Sequence, residues 1–280
     1  MNQIPEIFQY EHPVLPDNCK HIISPSLIYK FFAYPKLWYE EVMKGEKGFE
    51  GSTASITGTI CHYIYEQVAK GENVVREEIN RQLEEYLQVA QLPDVDMQKI
   101  LKDYPDVVNC VVNAYILPHT TGYGKVEVEK QVYTEIDEGI YVAGTCDRIE
   151  GDCVVDYKTV STKPNEQEIP FNYKIQLLAY VYVLRKLGYE INRIRIVYGV
   201  KPTKTLGARC VVVTENITFP DEQMINDTLR LINDSIKLSV ERPDLNYIIF
   251  KSYALKEEWT IPVTGTYRVT QIGGGNTNAS

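Results

Sequence analysis

Two short motifs in the middle of the chain combine acidic and basic side chains at spacings suited to metal-assisted chemistry. Asp147 lies in the run GTCDRI, and Asp156 and Lys158 lie in the run VVDYKT that follows it. Residues two apart on a strand point to the same face, so Asp156 and Lys158 should share one face of a sheet. Asp147 lies on the preceding predicted strand, and a tight turn at Gly151-Asp152 should let the two strands pair. Both carboxylates can then approach one point.

Two carboxylates at one point repel each other, and a hard divalent cation would remove that repulsion. Mg²⁺ or Mn²⁺ would be bound by one or two carboxylates together with water and phosphate oxygens. Beside such an ion, Lys158 could stabilise the anion that forms during attack on a phosphodiester, or hold the attacking water in its deprotonated form. The pattern therefore favours metal-dependent phosphodiester hydrolysis, with Asp147, Asp156 and Lys158 at the centre of the site.

A third motif, QLLAY, lies in a long apolar segment that we expect to be a buried helix. Gln176 and Tyr180 are four residues apart and therefore lie on one face of that helix, where they could orient Lys158 or contact the backbone of a nucleic acid. Each motif alone is common, and an Asp-x-Lys tripeptide is most often a surface salt bridge. Together, in this order, the three motifs indicate a catalytic site.

These motifs resemble those of the RecB-type nuclease domain of the PD-(D/E)XK superfamily, over residues 24 to about 236. Two N-terminal features extend the resemblance: the Ser24-Pro25-Ser26 helix start, followed by Tyr34-Pro35, and the Gly-x-x-x-His motif that ends at His62. The resemblance implies an α/β fold with a restriction-endonuclease-like core, in which helices flank a mixed central sheet, and an N-terminal helical elaboration. It also implies a deoxyribonuclease that depends on Mg²⁺ or Mn²⁺.

The resemblance assigns expected roles to single residues. The expected metal ligands are His62, Asp147, Asp156 and the backbone carbonyl of Tyr157, with Glu129 as a weaker candidate. Lys158 would be the catalytic lysine, and Gln176 and Tyr180 would complete the catalytic set.

Some members of this family bind an iron–sulfur cluster through four cysteines, but we expect no iron–sulfur cluster here. Tyr34 occupies the position of the first cluster cysteine, and only Cys210 follows Cys153 in the chain. The six cysteines form no C-x-x-C pair, and we expect all of them to be free thiols in a reducing compartment.

The chain carries a formal net charge of -9, which argues against a protein that coats nucleic acid nonspecifically. Basic residues nevertheless outnumber acidic ones between Arg185 and Arg209, where they could form either a solvated face or a loop that follows the phosphate backbone. The predicted DNA contacts are Arg148, Lys174, Lys201, Lys204 and Arg209. An N-terminal aromatic series could stack on unpaired bases, although core packing is expected for most of its members: Tyr29, Phe31, Phe32, Tyr34, Trp38 and Tyr39.

The hydrophobic pattern predicts helices first, then three strands, a helix, two strands and a final helix. Helices are predicted over 24–42 with a break at Pro35, and over 58–70, 74–91, 96–116, 171–187 and 221–240, with Pro118 ending the fourth. Strands are predicted over 126–133, 140–149, 153–158, 194–200 and 210–214.

We divide the chain into an N-terminal helical region (1–118) that contributes His62, a nuclease core (119–240) and a C-terminal extension (241–280), all within one integrated domain. The extension is expected to pack through aromatic side chains and to end in a disordered tail over 273–280. The aromatic residues expected to pack are Tyr247, Phe250, Tyr253 and Trp259.

The activity expected under this interpretation is exonucleolytic processing of DNA ends or single strands in recombination, repair or phage DNA metabolism. The chain has no Gly-x-x-x-x-Gly-Lys-[Ser/Thr] motif, so any unwinding would require a helicase or a recombination or replication protein as partner. A structure-specific endonuclease, an RNA nuclease and a catalytically inactive nucleic-acid-binding module remain alternatives. Without a secretory signal or an apolar stretch of about 18 residues, a cytoplasmic location in a bacterial or phage-infected cell is expected, with no membrane association.

Overall fold

A mixed six-stranded sheet lies at the centre of the computed structural model, which describes residues 4–9, 13–46, 51–92, 94–120, 126–251, 257–261 and 265–269. Its strands are β1 (His21–Ile23), β2 (Val126–Asp137), β3 (Ile140–Glu150), β4 (Cys153–Val160), β5 (Arg193–Val200) and β6 (Arg209–Asn216). The strand order is β1-β3-β4-β5-β6, and β2 pairs with β3. The β1–β3 and β4–β5 pairs are parallel, whereas the others are antiparallel. Two further strands, β7 (Glu257–Ile261) and β8 (Gly265–Val269), form a separate hairpin.

Nine α-helices are present in the described part of the chain. Six come before β2, one lies between β4 and β5, and two follow β6. They are α1 (Ile28–Ala33), α2 (Pro35–Met43), α3 (Thr53–Lys70), α4 (Arg76–Ala90), α5 (Met97–Val111), α6 (Leu117–Thr120), α7 (Phe171–Lys186), α8 (Phe219–Glu241) and α9 (Asn246–Ile249). A π-helical turn, Val112–Ile116, joins α5 to α6. None of the helices in the described part of the chain combines the length and apolar character needed to cross a membrane.

Each face of the sheet is covered by its own apolar core. On one face, α7 and α8 pack buried residues such as Leu178 and Ile232 against Val154 of β4. On the other, α3 and α5 pack Ile60 and Val107 against Val155. Burial of these apolar side chains on both faces is the main favourable contribution to folding. The alternation along β4 directs Asp156 and Lys158 to the α7 face.

Strands β3 and β4 pair over a very short length. The turn at Gly151 adopts φ +58°, a left-handed conformation that suits glycine, and three residue pairs follow it, the last being Arg148 with Val155. Beyond that pair the two strands separate, and Asp147 and Asp156 are the first residues past it. We call this point the β3–β4 fork. The fork is where the two motif carboxylates lie.

The fold class predicted from the sequence is confirmed: the protein is α/β, and helices flank a mixed sheet. The predicted break at Pro35 is present, because Pro35 is the first residue of α2 and its missing N–H costs nothing there. The prediction that a helix ends at Pro118 was wrong. The π-helical turn ahead of it already interrupts the regular hydrogen bonds, so Pro118 is accommodated as the second residue of α6. The short strand β1 was not predicted.

The C-terminal aromatic residues were expected to pack, and two of them do so. Phe250 is fully buried and stacks on Trp38 and Tyr39 at ring distances of 5.7 and 4.8 Å. Tyr247 is partly buried against the same core. The side chains of Tyr253 and Trp259 and the predicted tail over 273–280 lie outside the described residues.

Candidate active site

The β3–β4 fork holds Asp147 and Asp156 in different ways. Asp147 Oδ2 accepts a hydrogen bond of 2.8 Å from the backbone N–H of Tyr157, which links the β3 side chain to β4 across the fork. Asp156 is buried, with 3% of its surface exposed. Burial raises the pKa of Asp156 to about 6, and the charge of Asp147 adds to this rise while Lys158 opposes it. The site therefore places an ionised carboxylate where it is poorly solvated.

Lys158 and Gln176 complete a triangle with Asp156. Lys158 Nζ lies 2.9 Å from Asp156 Oδ2 and 3.3 Å from Gln176 Oε1, and Gln176 Nε2 donates to Asp156 Oδ1 at 3.0 Å. The ammonium group also lies 5.1 Å from the centre of the Tyr173 ring. Burial alone would lower the pKa of Lys158, but Asp156 and Asp147 outweigh it and raise the pKa. Lys158 is therefore held as a cation in a fixed position.

Helix α3 brings His62 to the other side of the fork. A capping box between Ser52 and Ser55 fixes the start of this helix. His62 Nε2 lies 2.8 Å from the backbone carbonyl oxygen of Tyr157, and Nδ1 lies 3.5 Å from Asp147 Oδ2. His62, Asp147 and the Tyr157 carbonyl thus meet at one point, although they come from three separate elements.

Glu129 lies on β2 between the residues that pair with Arg148 and Cys146, and is therefore opposite Asp147. Its backbone adopts φ +45°, a strained conformation for a residue that is not glycine. Burial raises the pKa of Glu129 to about 9, and the charges of Asp147 and Glu66 contribute to this rise. A cation at the fork would oppose the rise by neutralising the neighbouring carboxylates, and Glu129 stays the weaker candidate ligand.

Three sequence motifs meet at Gly144, three residues before Asp147. The Tyr180 hydroxyl donates to the carbonyl oxygen of Thr145 at 2.7 Å, and Tyr180 is 6% exposed. A Cβ on Gly144 would lie 3.1 Å from both the Tyr180 hydroxyl oxygen and Cδ of Pro25. Glycine is needed here because those two residues pack directly on the strand. Tyr180 therefore positions β3, and its burial leaves it little access to a substrate.

The donor set at the fork suits a hard divalent cation. Asp156 Oδ2 is buried and accepts no hydrogen bond of acceptable geometry, even though Lys158 Nζ is close. His62 Nε2 and the Tyr157 carbonyl oxygen lie at hydrogen-bond distance, 2.8 Å, and a cation bound there would have to replace this bond. In the described part of the chain, no three His, Cys, Asp or Glu side chains are grouped so that they could hold a metal ion by themselves. A backbone carbonyl and water would have to complete the coordination.

The family comparison agrees with this geometry. Residues 23–237 match the PD-(D/E)XK nuclease superfamily, a span that includes the fork and all three motifs. The chain belongs to the PD-(D/E)XK nuclease superfamily. Membership supports a hydrolytic nuclease that acts on nucleic acid, and nucleases of this superfamily generally use divalent metal ions such as Mg²⁺. Among curated proteins, none matches the chain significantly.

One solved structure supports the fold. The crystal structure of a candidate exonuclease from Eubacterium rectale is similar with a TM-score of 0.53 and 17% sequence identity, over 79% of this chain and 82% of that one. The structure of the protein SSO0001 matches 65% of this chain and 88% of its own at 17% identity, with a TM-score of only 0.29. At 17% identity the first structure supports the fold alone, and the TM-score of the second is too low to support a shared fold.

The prediction that Arg148 of this PD-(D/E)XK nuclease contacts DNA is contradicted by its complete burial. Arg148 Nε donates to Glu150 Oε1 at 2.6 Å, and its guanidinium carbon lies 5.9 Å from the centre of the Tyr115 ring. Glu150 Oε2 accepts from both Arg195 and the Tyr115 hydroxyl at 2.8 Å. Arg148 and Asp147 are neighbours in sequence, but the alternation of the strand sends them to different environments.

The other predicted DNA contacts have different surroundings. Lys201 is also buried, at 6% exposure, and lies 3.8 Å from Asp103, so its predicted DNA contact is contradicted as well. Lys174 is ion-paired with both Glu215 and Asp221 at 2.9 Å, which neutralises its charge. Lys204 is exposed and Arg209 is partly exposed. The loop that carries Lys204 begins beside the end of β4, so contacts from these two residues remain predictions.

Sequence reasoning missed several residues around the site. Glu66 follows His62 by one helical turn, and that spacing could have indicated it. Tyr173, whose ring lies beside Lys158, had no comparable signal. The buried Glu150 and Arg195 were also missed, although the two-residue spacing of Arg148 and Glu150 could have indicated an ion pair on one strand face.

Proposed function

We propose that this chain is a Mg²⁺- or Mn²⁺-dependent DNA exonuclease of the RecB type. The observation that carries the proposal is the meeting of Asp147, Asp156 and the Tyr157 carbonyl at the β3–β4 fork, with Lys158 Nζ 2.9 Å from Asp156. This arrangement supplies oxygen donors for a hard cation and a fixed ammonium group for the phosphate. A cation and an ammonium group can both stabilise the charge that develops on a phosphodiester during hydrolysis.

The residues divide the proposed work between them. Asp147, Asp156, His62 and the Tyr157 carbonyl would hold the cation, which would polarise the phosphate and lower the pKa of a bound water. Lys158 remains protonated because its carboxylate neighbours raise its pKa, so it acts as a cationic donor rather than as a base. Gln176 orients Lys158 through its side-chain oxygen. Tyr180 holds β3 through the Thr145 carbonyl, and so positions Asp147.

The proposed substrate and mode of cutting rest on the motif resemblance and on one similar structure. The sequence motifs resemble those of the RecB type, whose members mostly process ends, and the similar structure from Eubacterium rectale is that of a candidate exonuclease. Both favour exonucleolytic action on DNA ends or single strands in recombination, repair or phage DNA metabolism. A helicase or a recombination or replication protein would then supply unwound substrate, in the cytoplasm. We also propose that the protein binds no iron–sulfur cluster, because such a cluster would need several C-terminal cysteines and only Cys210 follows Cys153.

Substrates that differ only in ends, strandedness and sugar test this function. The protein would be incubated with Mg²⁺ or Mn²⁺ and with 5′- or 3′-labelled linear DNA, single- or double-stranded, alongside covalently closed circles and RNA of matched sequence. Parallel reactions would contain excess chelator or the Lys158→Ala variant. The proposal expects short labelled products from linear DNA, intact circles and no products in either control.

Each alternative gives a different result. Cutting of the closed circles would identify an endonuclease instead of an exonuclease. Preferential degradation of RNA would identify a ribonuclease. Binding to nucleic acid without products from any substrate would indicate an inactive binding module. Full activity in excess chelator would contradict the metal-dependent mechanism.

A further inference from the structure

Exposed aromatic side chains are concentrated in one corner of the protein. Within the described residues, the large aromatic side chains classed as exposed are Tyr29, Phe32, Tyr34, Tyr133, Phe171 and Phe219. Three of these six lie close together in sequence around α1, and a fourth, Phe171, contacts one of them. Scattered exposed apolar residues need no explanation, but a cluster of aromatic ones is typical of a binding surface.

Two elements build this corner. Tyr29 and Phe32 are three residues apart on α1 and therefore share a face of that helix. Phe171 is the first residue of α7, and its ring lies 6.2 Å from that of Tyr29 in an edge-to-face arrangement. The exposed fractions of the three side chains are 40%, 43% and 47%. We call Tyr29, Phe32 and Phe171 the aromatic patch.

The aromatic patch adjoins the β3–β4 fork through both of its elements. Phe171 precedes Gln176 by five residues on α7, a distance of about 7.5 Å along the helix axis. The turn that leads into α1 contains Pro25, which packs on Gly144 just before Asp147. Tyr173, two residues after Phe171, has its ring centre 5.1 Å from Lys158 Nζ, so the patch and the candidate catalytic lysine both adjoin the first turns of α7.

Positive charge does not explain the patch. Lys30 is ion-paired with Glu41 at 2.5 Å, and Lys36 is paired with Glu40 at 2.7 Å. These pairs neutralise the basic side chains of α1 and of the first turn of α2. A ligand bound here would be held through ring faces rather than through its phosphates, and nucleobases are ligands of this kind.

We infer that the aromatic patch binds the unpaired bases of a single strand whose adjacent phosphodiester lies at the fork. The inference rests on the proposed nuclease function and narrows its substrate class to single-stranded DNA or single-stranded ends. In a duplex the bases stack on one another and leave no free face for the rings. The patch therefore selects strands that are already unwound.

Another possible occupant of the patch is the chain's own C-terminal segment. This segment is a candidate because Phe250, which precedes it, packs on Trp38 and Tyr39 of α2. If that segment covered the patch, replacing the aromatic rings would lower stability and leave DNA binding unchanged. The experiment below separates these two occupants.

The test measures binding to single-stranded and blunt double-stranded DNA in chelator, which prevents cleavage. Tyr29→Ala, Phe32→Ala and Phe171→Ala would be compared with Tyr133→Ala, which removes an aromatic ring of similar exposure (39%) from β2. Each patch variant should bind the single strand roughly tenfold more weakly, whereas Tyr133→Ala should bind normally. Affinity for the duplex should not change. Tyr29→Phe should restore binding, because it restores the ring.

A fluorescent base reports stacking directly. An oligonucleotide that carries 2-aminopurine near its end should lose fluorescence on binding to the wild-type protein and retain more of it with Phe171→Ala. The dependence of affinity on salt should be the same for the patch variants and the wild type, because no phosphate contact is removed.

Four results would overturn the inference, and they differ from a failure of the proposed function. If the wild type cuts single strands and folded patch variants bind them equally well, only the patch is wrong. Lower melting temperatures with unchanged binding would assign the patch to the C-terminal segment. Equal losses for single strands and duplex would exclude selection of unpaired bases. If the wild type neither binds nor cuts nucleic acid, both the patch and the proposed function fail.

Discussion

Two clusters of charged side chains meet at neighbouring residues of β3. They differ in burial and in how their charges are paired. The first is at the β3–β4 fork and contains Asp147, Asp156 and Lys158. The second contains Arg148, Glu150 and Arg195 and lies beneath Tyr115. Asp147 and Arg148 are consecutive residues, yet one faces the opening of the fork and the other is completely buried.

The buried cluster pairs its charges through several hydrogen bonds, although Arg148 Nη1 and Nη2 are themselves buried without a hydrogen-bond partner. Both oxygens of Glu150 are bonded, one to Arg148 and the other to Arg195 and Tyr115. These bonds connect β3 with β5 on either side of β4, and Tyr115 of the π-helical turn closes over them. The cluster thus holds the strands in the positions from which the fork opens.

The cluster at the fork is arranged for binding. Asp156 Oδ2 is buried without a hydrogen bond of acceptable geometry, Asp156 has a pKa raised by burial, and Glu129 has a strained backbone opposite Asp147. Each of these features costs folding free energy, and costs of this kind concentrate at functional sites. The buried cluster therefore fixes the strands, and the cluster at the fork depends on their fixed positions.

The largest effect should come from breaking the buried cluster. Glu150→Ala would leave Arg148 buried without its carboxylate partner, so we expect a loss of about 3–5 kcal/mol in the free energy of unfolding. Denaturant titration measures it. The matched control is Glu222→Ala, which breaks the more exposed pair with Arg185 and should cost less than about 1 kcal/mol. Equal losses for the two variants would contradict the structural role of the buried cluster.

Lys158→Ala should have the next largest effect, and on turnover rather than on folding. Its ammonium group is proposed to act on charge that develops in the transition state, so kcat should fall about a hundredfold or more. Affinity for DNA should change little. Lys163→Ala, in the exposed loop after β4, is the matched control and should retain wild-type turnover. Circular dichroism would confirm that both variants are folded before rates are compared.

Gly144→Ala should disturb the link between the motifs. The added methyl group would displace the Tyr180 hydroxyl or Pro25 and shift β3 just before Asp147. We expect turnover to fall about tenfold, because small displacements of catalytic groups are costly, with about 1 kcal/mol lost in stability. Gly207→Ala makes the same change where the new methyl group would contact nothing, and should not lower the melting temperature.

The smallest effect concerns pH. The pKa of Asp156 is raised to about 6, so in chelator the folded state holds a proton that the unfolded state releases near pH 4. Wild-type stability from this group is therefore lost as pH rises from about 4 to about 6. Asp156→Asn does not undergo this loss, so its free energy of unfolding should rise relative to the wild type over that window. The rise should be only about 1 kcal/mol, because Lys158 loses its partner in the variant.

Asp152→Asn is the control of opposite sign. A hydrogen bond from Arg193 lowers the pKa of Asp152, so its carboxylate stabilises the folded state at neutral pH and loses that effect as pH falls. The variant should be less stable than the wild type at pH 7 and equal to it in acid. Parallel stability profiles for wild type and Asp156→Asn would contradict the burial of an ionised Asp156.

Sequence reasoning could predict the fold and the centre of the site because both depend on local patterns. Alternation along β4 places Asp156 and Lys158 on one face, and the short turn at Gly151 brings β3 alongside. The family resemblance then added the Tyr157 carbonyl, which lies within the β4 motif, and His62, whose approach to the fork depends on how α3 packs on the sheet. No spacing within a motif contains that information.

The errors have a common physical cause. A basic side chain in a motif can face solvent or the core, and the choice depends on partners that are distant in the sequence. Arg148 is buried partly because Arg195 and Tyr115 complete its cluster, and Lys201 is buried near Asp103. Gly144 likewise needs glycine only because Pro25 and Tyr180 pack on it. Such contacts can be identified only in three dimensions.

The central claim is that the β3–β4 fork holds the catalytic metal ion, and direct titration with Mn²⁺ tests it most closely. Binding would be measured by calorimetry for the wild type, Asp156→Asn and Lys158→Ala, together with turnover at rising Mn²⁺ concentration. Asp156→Asn should bind Mn²⁺ at least about tenfold more weakly, since it loses a charged ligand, and excess Mn²⁺ should partly restore its turnover. Lys158→Ala should bind the ion and remain inactive. Wild-type Mn²⁺ affinity in folded Asp156→Asn, or wild-type turnover in folded Lys158→Ala, would contradict the account.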